Sequence, residues 1–480
     1  MKRKFVTNLA LLLFLNILVK PFWVFGIDTT VQNVVGSEEY GFYFTLLQFS
    51  FLLNILLDFG INNFNSRNIA QNRQLLTKHL SSIIVIRLIL SVLYFIIAII
   101  FALFLGWLQE GYKILLLLLF NQFLLSFVLY FRSNLAGLHL FKTDSIVSVL
   151  DRFLMIVICS VLLWGNISKK SFQIEWFVYA QTASYLITVL VVLLIVLKKS
   201  GRIHLTLDTN FFFAILKKSY PFALLTLLMA SYSRIDTIFL EQLLEDGKVQ
   251  AGIFAHGFRI LDAASMYGFL FAGLLLPIFA RMIKLKESVS QMVVLSYTLI
   301  IVPAIILSLS SFFYRTEIMN LLYEHHIEES ARAFGVLILG FMFFSTSYIF
   351  GTLLTANGSL KALNTMAAMG IVVNIILNLI LVPKFAALGA AFTSLATQAF
   401  TATAQVLIVM RIFKFRFNLK IFFSILIYFI GVILIGILSR DLPYQWYLSY
   451  FIMLTLSVLL AFGIKLLSIK DMYKIIKYDN

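Results

Sequence analysis

Apolar residues run almost unbroken along this chain for about 20 positions at a time, the length a helix needs to cross a bilayer core roughly 30 Å thick. Short polar and charged intervals separate the runs. The strict apolar–polar alternation of a membrane barrel is missing, so the pattern predicts helices. Reading onward gives fourteen spans, with approximate limits 5–26, 40–60, 81–107, 113–132, 144–165, 174–197, 213–240, 249–280, 288–313, 332–355, 361–382, 386–410, 418–438 and 444–465. Met1-Lys2-Arg3-Lys4 before the first run imitates a secretory signal. That run continues through Lys20-Pro21 to Phe25 without a small-residue cleavage site and is read as a retained span.

Composition agrees. Of the 480 residues 61% are hydrophobic and 12% charged, and the mean hydropathy is +0.97. Soluble proteins average about 25% charged residues, so a soluble domain is excluded. The expected class is an all-α polytopic membrane protein. Cys159, the single cysteine, sits in an apolar run and reads as a small core residue.

The net charge of +16 resembles a nucleic-acid signature until the charges are placed. With the N-terminus in the cytoplasm, 25 of the 38 Lys and Arg fall in cytoplasmic segments, 8 in outer loops and 5 within spans. Of the 22 acidic residues, 13 lie outside. This is the positive-inside bias repeated over many loops, so no nucleic-acid partner is called for. It supports an even span number with both termini cytoplasmic in a plasma membrane.

A basic stretch from Lys198 to Asn210 divides the first twelve spans into two sets of six. Tyr40-Gly41-Phe42-Tyr43 opens span 2, and Ala251-Gly252-Ile253-Phe254 opens span 8. Leu135-Ala136-Gly137 leads to Lys142 after span 4, and Thr355-Ala356-Asn357-Gly358 leads to Lys361 after span 10. The halves therefore read as parallel repeats, a pattern from which transporters are built. The expected organisation is an N-terminal lobe (1–197), a cytoplasmic linker (198–212), a C-terminal lobe (213–413), and spans 13 and 14 with a cytoplasmic tail (414–480).

No P-loop, GxSxG, paired-cysteine or HExxH motif occurs, and no catalytic residue, metal site or cofactor is expected. His325-His326 beside Glu324, Glu328 and Glu329 reads as a solvated acidic loop. The outer loops are short for a membrane enzyme of glycan assembly.

The candidate chemistry is the charge inside the spans, where an ionisable residue costs about 2.5–3.5 kcal/mol on insertion scales. Arg87 (span 3) and Asp151-Arg152 (span 5) lie toward the cytoplasmic side, with Asp58 at the inner end of span 2. Arg234 and Asp236 (span 7) and Arg259 and Asp262 (span 8) lie nearer the outer side. His256, Arg259 and Asp262 are three apart and share a helix face. The four arginines are the candidate substrate-binding residues. Asp236, Asp262, His256, Asp58 and Asp151 are candidate supporting or ion-pair residues. Lys20 is set aside as a side chain that snorkels outward.

Several stretches resemble the Wzx-type bacterial oligosaccharide flippases of the MOP superfamily. These are Leu57-Asp-Phe-Gly-Ile-Asn-Asn-Phe-Asn-Ser-Arg67, Ser233-Arg-Ile-Asp-Thr-Ile-Phe-Leu240 and Ala251-Gly-Ile-Phe-Ala-His-Gly-Phe-Arg-Ile-Leu-Asp262. Leu354-Thr-Ala-Asn-Gly358, Asn374 to Pro383 and Ala387-Leu-Gly-Ala-Ala391 are similar to the C-terminal half of that family. The resemblance implies a MATE-like transporter of twelve plus two helices. It implies transfer of undecaprenyl-diphosphate-linked oligosaccharide from the cytoplasmic to the periplasmic leaflet, for O-antigen, capsule or exopolysaccharide assembly. Implied partners are the lipid-linked oligosaccharide, membrane lipids and polysaccharide polymerase machinery. Spans 1, 2, 7 and 8 would line a cationic cavity. Sibling readings are a lipid II flippase and a cation-coupled drug antiporter. The antiporters often carry an acidic residue in span 1, and none occurs here between Phe5 and Phe25.

Overall fold

The structure is a computed structural model describing residues 14–467 apart from 17, 63–64, 66–74, 139, 166–171, 201–208 and 416–417. Arg67 of the flippase-like stretch and most of the expected linker 198–212 lie outside the described residues. Among the described residues there is no strand. Among the same residues eleven helices are long and apolar enough to cross a membrane, or twelve with one bent pair taken as a single span.

Two of the eleven are reversals in which the chain turns back on itself. Residues 14–58 contain Gly36 at φ 82° and ψ 167°, outside helical space. Past it, the Tyr40 hydroxyl donates to Asp28 at 2.9 Å, whereas twelve residues of straight helix span about 18 Å. Trp23 and Tyr43 also both touch the Phe177 ring, at 5.6 and 5.5 Å between centroids. The 54-residue helix Leu360–Phe413 breaks at Ala386, φ 49° and ψ −129°, three residues after Pro383. Across that break Asn374 donates to Thr397 at 3.4 Å, where a straight helix would hold them about 35 Å apart. A side chain at Gly389 would collide with the Leu381 carbonyl, so glycine is what lets this corner close.

Dividing both reversals and adding the bent pair as one gives, among the described residues, fourteen long helical segments beside short helical turns. They are α1 (18–35), α2 (37–52), α3 (Leu75–Phe104), α4 (Tyr112–Gly137), α5 (Phe141–Trp164), α6 (Ile174–Ser200) and α7, made of α7a (Thr209–Arg234) and α7b (Asp236–Leu243). There follow α8 (Gly247–Lys284), α9 (Ser290–Phe313), α10 (Ile327–Ala356), α11 (360–385), α12 (387–413), α13 (Leu419–Arg440) and α14 (Trp446–Gly463).

The chain forms two compact units, Met1–Gly252 and Ile253–Asn480. In the first, α4 packs along α6 and α2, and α3 joins through Ile83, Ile86 and Leu90 against Phe127, Phe131 and Val192. In lipid there is little hydrophobic drive between helices, so small residues and polar contacts hold them together. The two glycines singled out as repeat-related, Gly41 and Gly252, meet here. A side chain on Gly41 would strike the Lys248 carbonyl and the Gly252 amide, and one on Gly252 would strike the Ser37 carbonyl.

In the second unit α10 is central, packing on α9, α11 and α12. The last two helices lie on α9, where Ile301, Ile305 and Leu309 meet Tyr428, Val432 and Met453. Tyr314 fixes the C-terminal end of α13 by donating to the Ser439 carbonyl at 3.1 Å.

Candidate functional site

Arg87 occupies a closed polar knot. After the helical turn Ile55–Asp58, Phe59 (φ 44°) and Gly60 (φ 79°) take left-handed conformations. The chain then returns so that the Asn62 amide donates to Asp58 at 3.2 Å. Arg87 reaches across from α3 and is fully buried. It donates to Asp58, to Asn62 (2.7 Å) and to the carbonyls of Leu57 (3.3 Å) and Ser126 (3.0 Å). Its guanidinium lies 4.9 Å from the Tyr130 ring centre. Four acceptors and a ring engage the terminal guanidinium nitrogens of a charge that burial alone would make costly, while Nε has no hydrogen-bond partner among the described residues.

Arg152 on α5 is arranged differently. Its side chain is 25% exposed and sits 3.7 Å from Asp151. It is backed by the rings of Trp23 (5.5 Å) and Tyr185 (5.9 Å). Lys20 lies within electrostatic reach of Arg152, Asp151 and Arg132. Arg132 is in turn held by Asp144 at 2.8 and 3.4 Å. Three cations against two carboxylates leave this patch net positive. Lys20, set aside on the sequence, belongs to it. The signal was its spacing of three from Trp23, which puts both on one helix face.

Arg234 ends α7a, donates to Gln48 at 2.6 Å and lies 5.0 Å over Phe51. The helix bends by 46° immediately afterwards. Asp236 then begins α7b and is buried, its carboxylate at the positive end of that helix. Gln48 and Phe51, which position Arg234, carried no signal in the sequence.

On α8, His256 is buried. Its Nδ1 lies 2.8 Å from the Ser330 hydroxyl, and its ring is stacked 4.0 Å from that of Tyr323. The Tyr323 hydroxyl donates back to the His256 carbonyl at 3.1 Å. The imidazole thus serves in helix packing. Arg259 and Asp262, one and two turns on, are half-buried. The loop histidine His326 is exposed and lies 3.4 Å from Glu329.

One acidic residue has a larger place than the sequence limits gave it. Helix α1 continues past Phe25 as a π-helical segment, Trp23–Asp28, and ends only before Gly36. Asp28 is therefore inside the first helix and buried, accepting from Tyr40 (2.9 Å) and Gln32 (3.1 Å). Such π-helical segments occur often at functional sites. The expectation that the first span lacks a carboxylate held for 5–25 but fails for the helix as it is built.

Many long apolar helices with internal reversals define a multi-pass membrane protein. The whole-chain structural likenesses agree. The inward closed conformation of the lipid II flippase MurJ matches with a TM-score of 0.67 at 15% identity, covering 96% of both chains. An outward-facing multidrug resistance MATE transporter of the MOP superfamily matches at 0.58 and 15%, covering 85% of this chain and 95% of that one. A MOP superfamily transporter from Pyrococcus furiosus matches at 0.59 and 13%, covering 85% and 94%. A curated relative, the uncharacterized membrane protein MJ1068 of Methanocaldococcus jannaschii, is 23% identical over 92% of each chain. The polysaccharide biosynthesis protein family model matches residues 5–283, more than half of the chain, and the protein belongs to that family. The polysaccharide-assembly family read from the sequence stands on this match, and the fold is the one shared with the MurJ and MATE structures.

Proposed function

We propose that the chain moves undecaprenyl-diphosphate-linked oligosaccharide from the cytoplasmic to the periplasmic leaflet, for O-antigen, capsule or exopolysaccharide assembly. In this reading it crosses the plasma membrane fourteen times with both termini cytoplasmic. It carries no catalytic residue or cofactor, and polysaccharide polymerase machinery receives the product. The observation that carries the proposal is the family match over residues 5–283, the stretch that holds all four candidate arginines.

The physics of the cargo explains what those residues are for. A diphosphate and a glycan are rejected by hydrocarbon, while the polyprenyl tail is at home in it. The protein has to supply a hydrated, positive path for the head group alone. Arginine suits this because its planar fork binds phosphate oxygens in pairs and stays charged when partly buried. Arg234, Arg259 and Arg152 are only part-buried and are the ones assigned to the head group, with Lys20 beside Arg152. Arg87 would join them on opening of its pair with Asp58. Asp151, Asp236 and Asp262 moderate the field so that the diphosphate is released again. Alternating access of the two lobes by rocking would present the site to each side in turn.

The test is the product that builds up when the protein is lost. A flippase leaves undecaprenyl-linked glycan on the cytoplasmic leaflet. Glycan stranded on the periplasmic leaflet would refute the proposal, and so would an unchanged lipid-linked pool.

Asp28 favours a second reading, in which transport is coupled to a cation. The antiporters of this superfamily often hold an acidic residue in the first span, and Asp28 now occupies that helix. Asp28→Asn would then abolish transport driven by an ion gradient and leave downhill exchange. Equal loss of both would limit Asp28 to packing.

A further inference from the structure

We propose that the groove between α11 and α12 at the Lys361 end holds an anionic glycerophospholipid of the surrounding leaflet. The groove has a volume of about 700 Å³. Lys361 stands at its mouth, and Met366, Met369, Phe400, Ile408 and Ile412 form its walls. Met369 and Ile412 are strongly exposed, so it opens outward, to lipid. From Phe400 to Ile412 the wall runs along about 18 Å of helix, close to the roughly 15 Å of one leaflet. That length fits an acyl chain. A polyprenyl tail far outruns it.

Charge selects the head group. From Ser330 to Arg440, a stretch covering nearly all of α10 to α13, the sequence holds eight Lys and Arg and no Asp or Glu. That stretch supplies no carboxylate to neutralise the groove's mouth, and the two acidic residues of α10, Glu328 and Glu329, lie in its first turn, at the end opposite Ala356 and the groove. Arg411 follows Ile408 by three residues, which places a second, exposed cation on the same helix face. The start of α11 has no side-chain cap and no acidic residue in its first turn, and the Ser359 hydroxyl instead accepts from Asn357 at 2.9 Å. Its positive helix end adds to the same field. Basic pockets between membrane helices at the cytoplasmic side are a recurrent form of anionic-lipid site. This inference does not rest on the flippase reading.

The experiment is native mass spectrometry of the full chain after exchange in vesicles of phosphatidylglycerol and phosphatidylcholine, with thermal midpoints measured alongside. The wild type retains phosphatidylglycerol preferentially. Lys361→Gln and Arg411→Gln each weaken that retention about fivefold at unchanged midpoint, and Lys361→Arg preserves it. Equal retention of the two lipids by the wild type would overturn the proposal. So would unchanged retention in the double variant. Displacement of phosphatidylglycerol by undecaprenyl phosphate at low ratio would also overturn it, because the groove would then belong to the cargo. Flipping measured on the same variants separates loss of this lipid from loss of transport.

Discussion

Residues 14–252 and residues 330–440 solve the same problem, polar groups inside a membrane protein, in opposite ways. The first region places ionisable side chains inside its helices: Arg87 with Asp58, Asp28 under Tyr40 and Asp236 at a helix start are buried or nearly so, and Arg152 is part-buried against Trp23. The second has no carboxylate at all, and its buried polar side chains are neutral. They include Asn374, Asn378, Thr393, Thr397, Gln398, Thr401 and Gln405. A buried ion pair can be broken and remade with large effect, while neutral amides and hydroxyls serve close helix packing. Ionisable side chains inside the helices are therefore concentrated in the first region.

That contrast is sharpened or broken by substitution. The largest effect is expected from Arg87→Ala, which strands Asp58 and removes four hydrogen bonds. Breaking a buried pair by one partner costs about 3–5 kcal/mol. The thermal midpoint of the purified protein should fall steeply, and Arg87→Met with Asp58→Asn should recover much of it. A mild effect for Arg87→Ala would mean that the knot is not where this unit stores its stability.

Gly252→Ala comes next and controls for damage without charge. The added methyl meets the Ser37 backbone, and overpacking of this kind costs about 1–3 kcal/mol. Gly273→Ala, with nothing within 4 Å of the new carbon, should leave the midpoint alone.

In the neutral region the sign reverses. Neither amide atom of Gln405 has a hydrogen-bond partner among the described residues. Gln405→Met should be neutral or stabilising, by up to about 1–3 kcal/mol, the cost of a buried unsatisfied group. A clear loss of stability or transport would show instead that this amide is used.

The order and approximate centres of the helices were legible because lipid demands long apolar runs. Their ends were less so, for a physical reason visible in α1. Asp28, Thr29, Thr30 and Gln32 read as a polar loop, yet they lie inside the helix and each makes a hydrogen bond there. Thr29 and Thr30 donate to the Val24 and Gly26 carbonyls, and Asp28 takes Tyr40 and Gln32. Intramembrane charge marked the candidate residues, and spacing put His256, Arg259 and Asp262 on one face. It was silent on pairing, because Asp58 and Arg87 are 29 residues apart and Gln48 and Arg234 are 186 apart. Lys20 was misplaced because a lysine near a span end ordinarily snorkels. Here Arg152, Asp151 and Arg132 surround it electrostatically.

The central claim is tested most directly in proteoliposomes loaded with undecaprenyl-diphosphate-linked oligosaccharide, by following the fraction of glycan open to an external glycosidase. The wild type should expose the inner-leaflet pool. Arg234→Ala and Arg152→Ala, each with an unchanged thermal midpoint, should slow that exposure at least about tenfold, the equivalent of one charge-assisted contact. Full-rate exposure in the double variant, or no exposure by the wild type, would contradict the account.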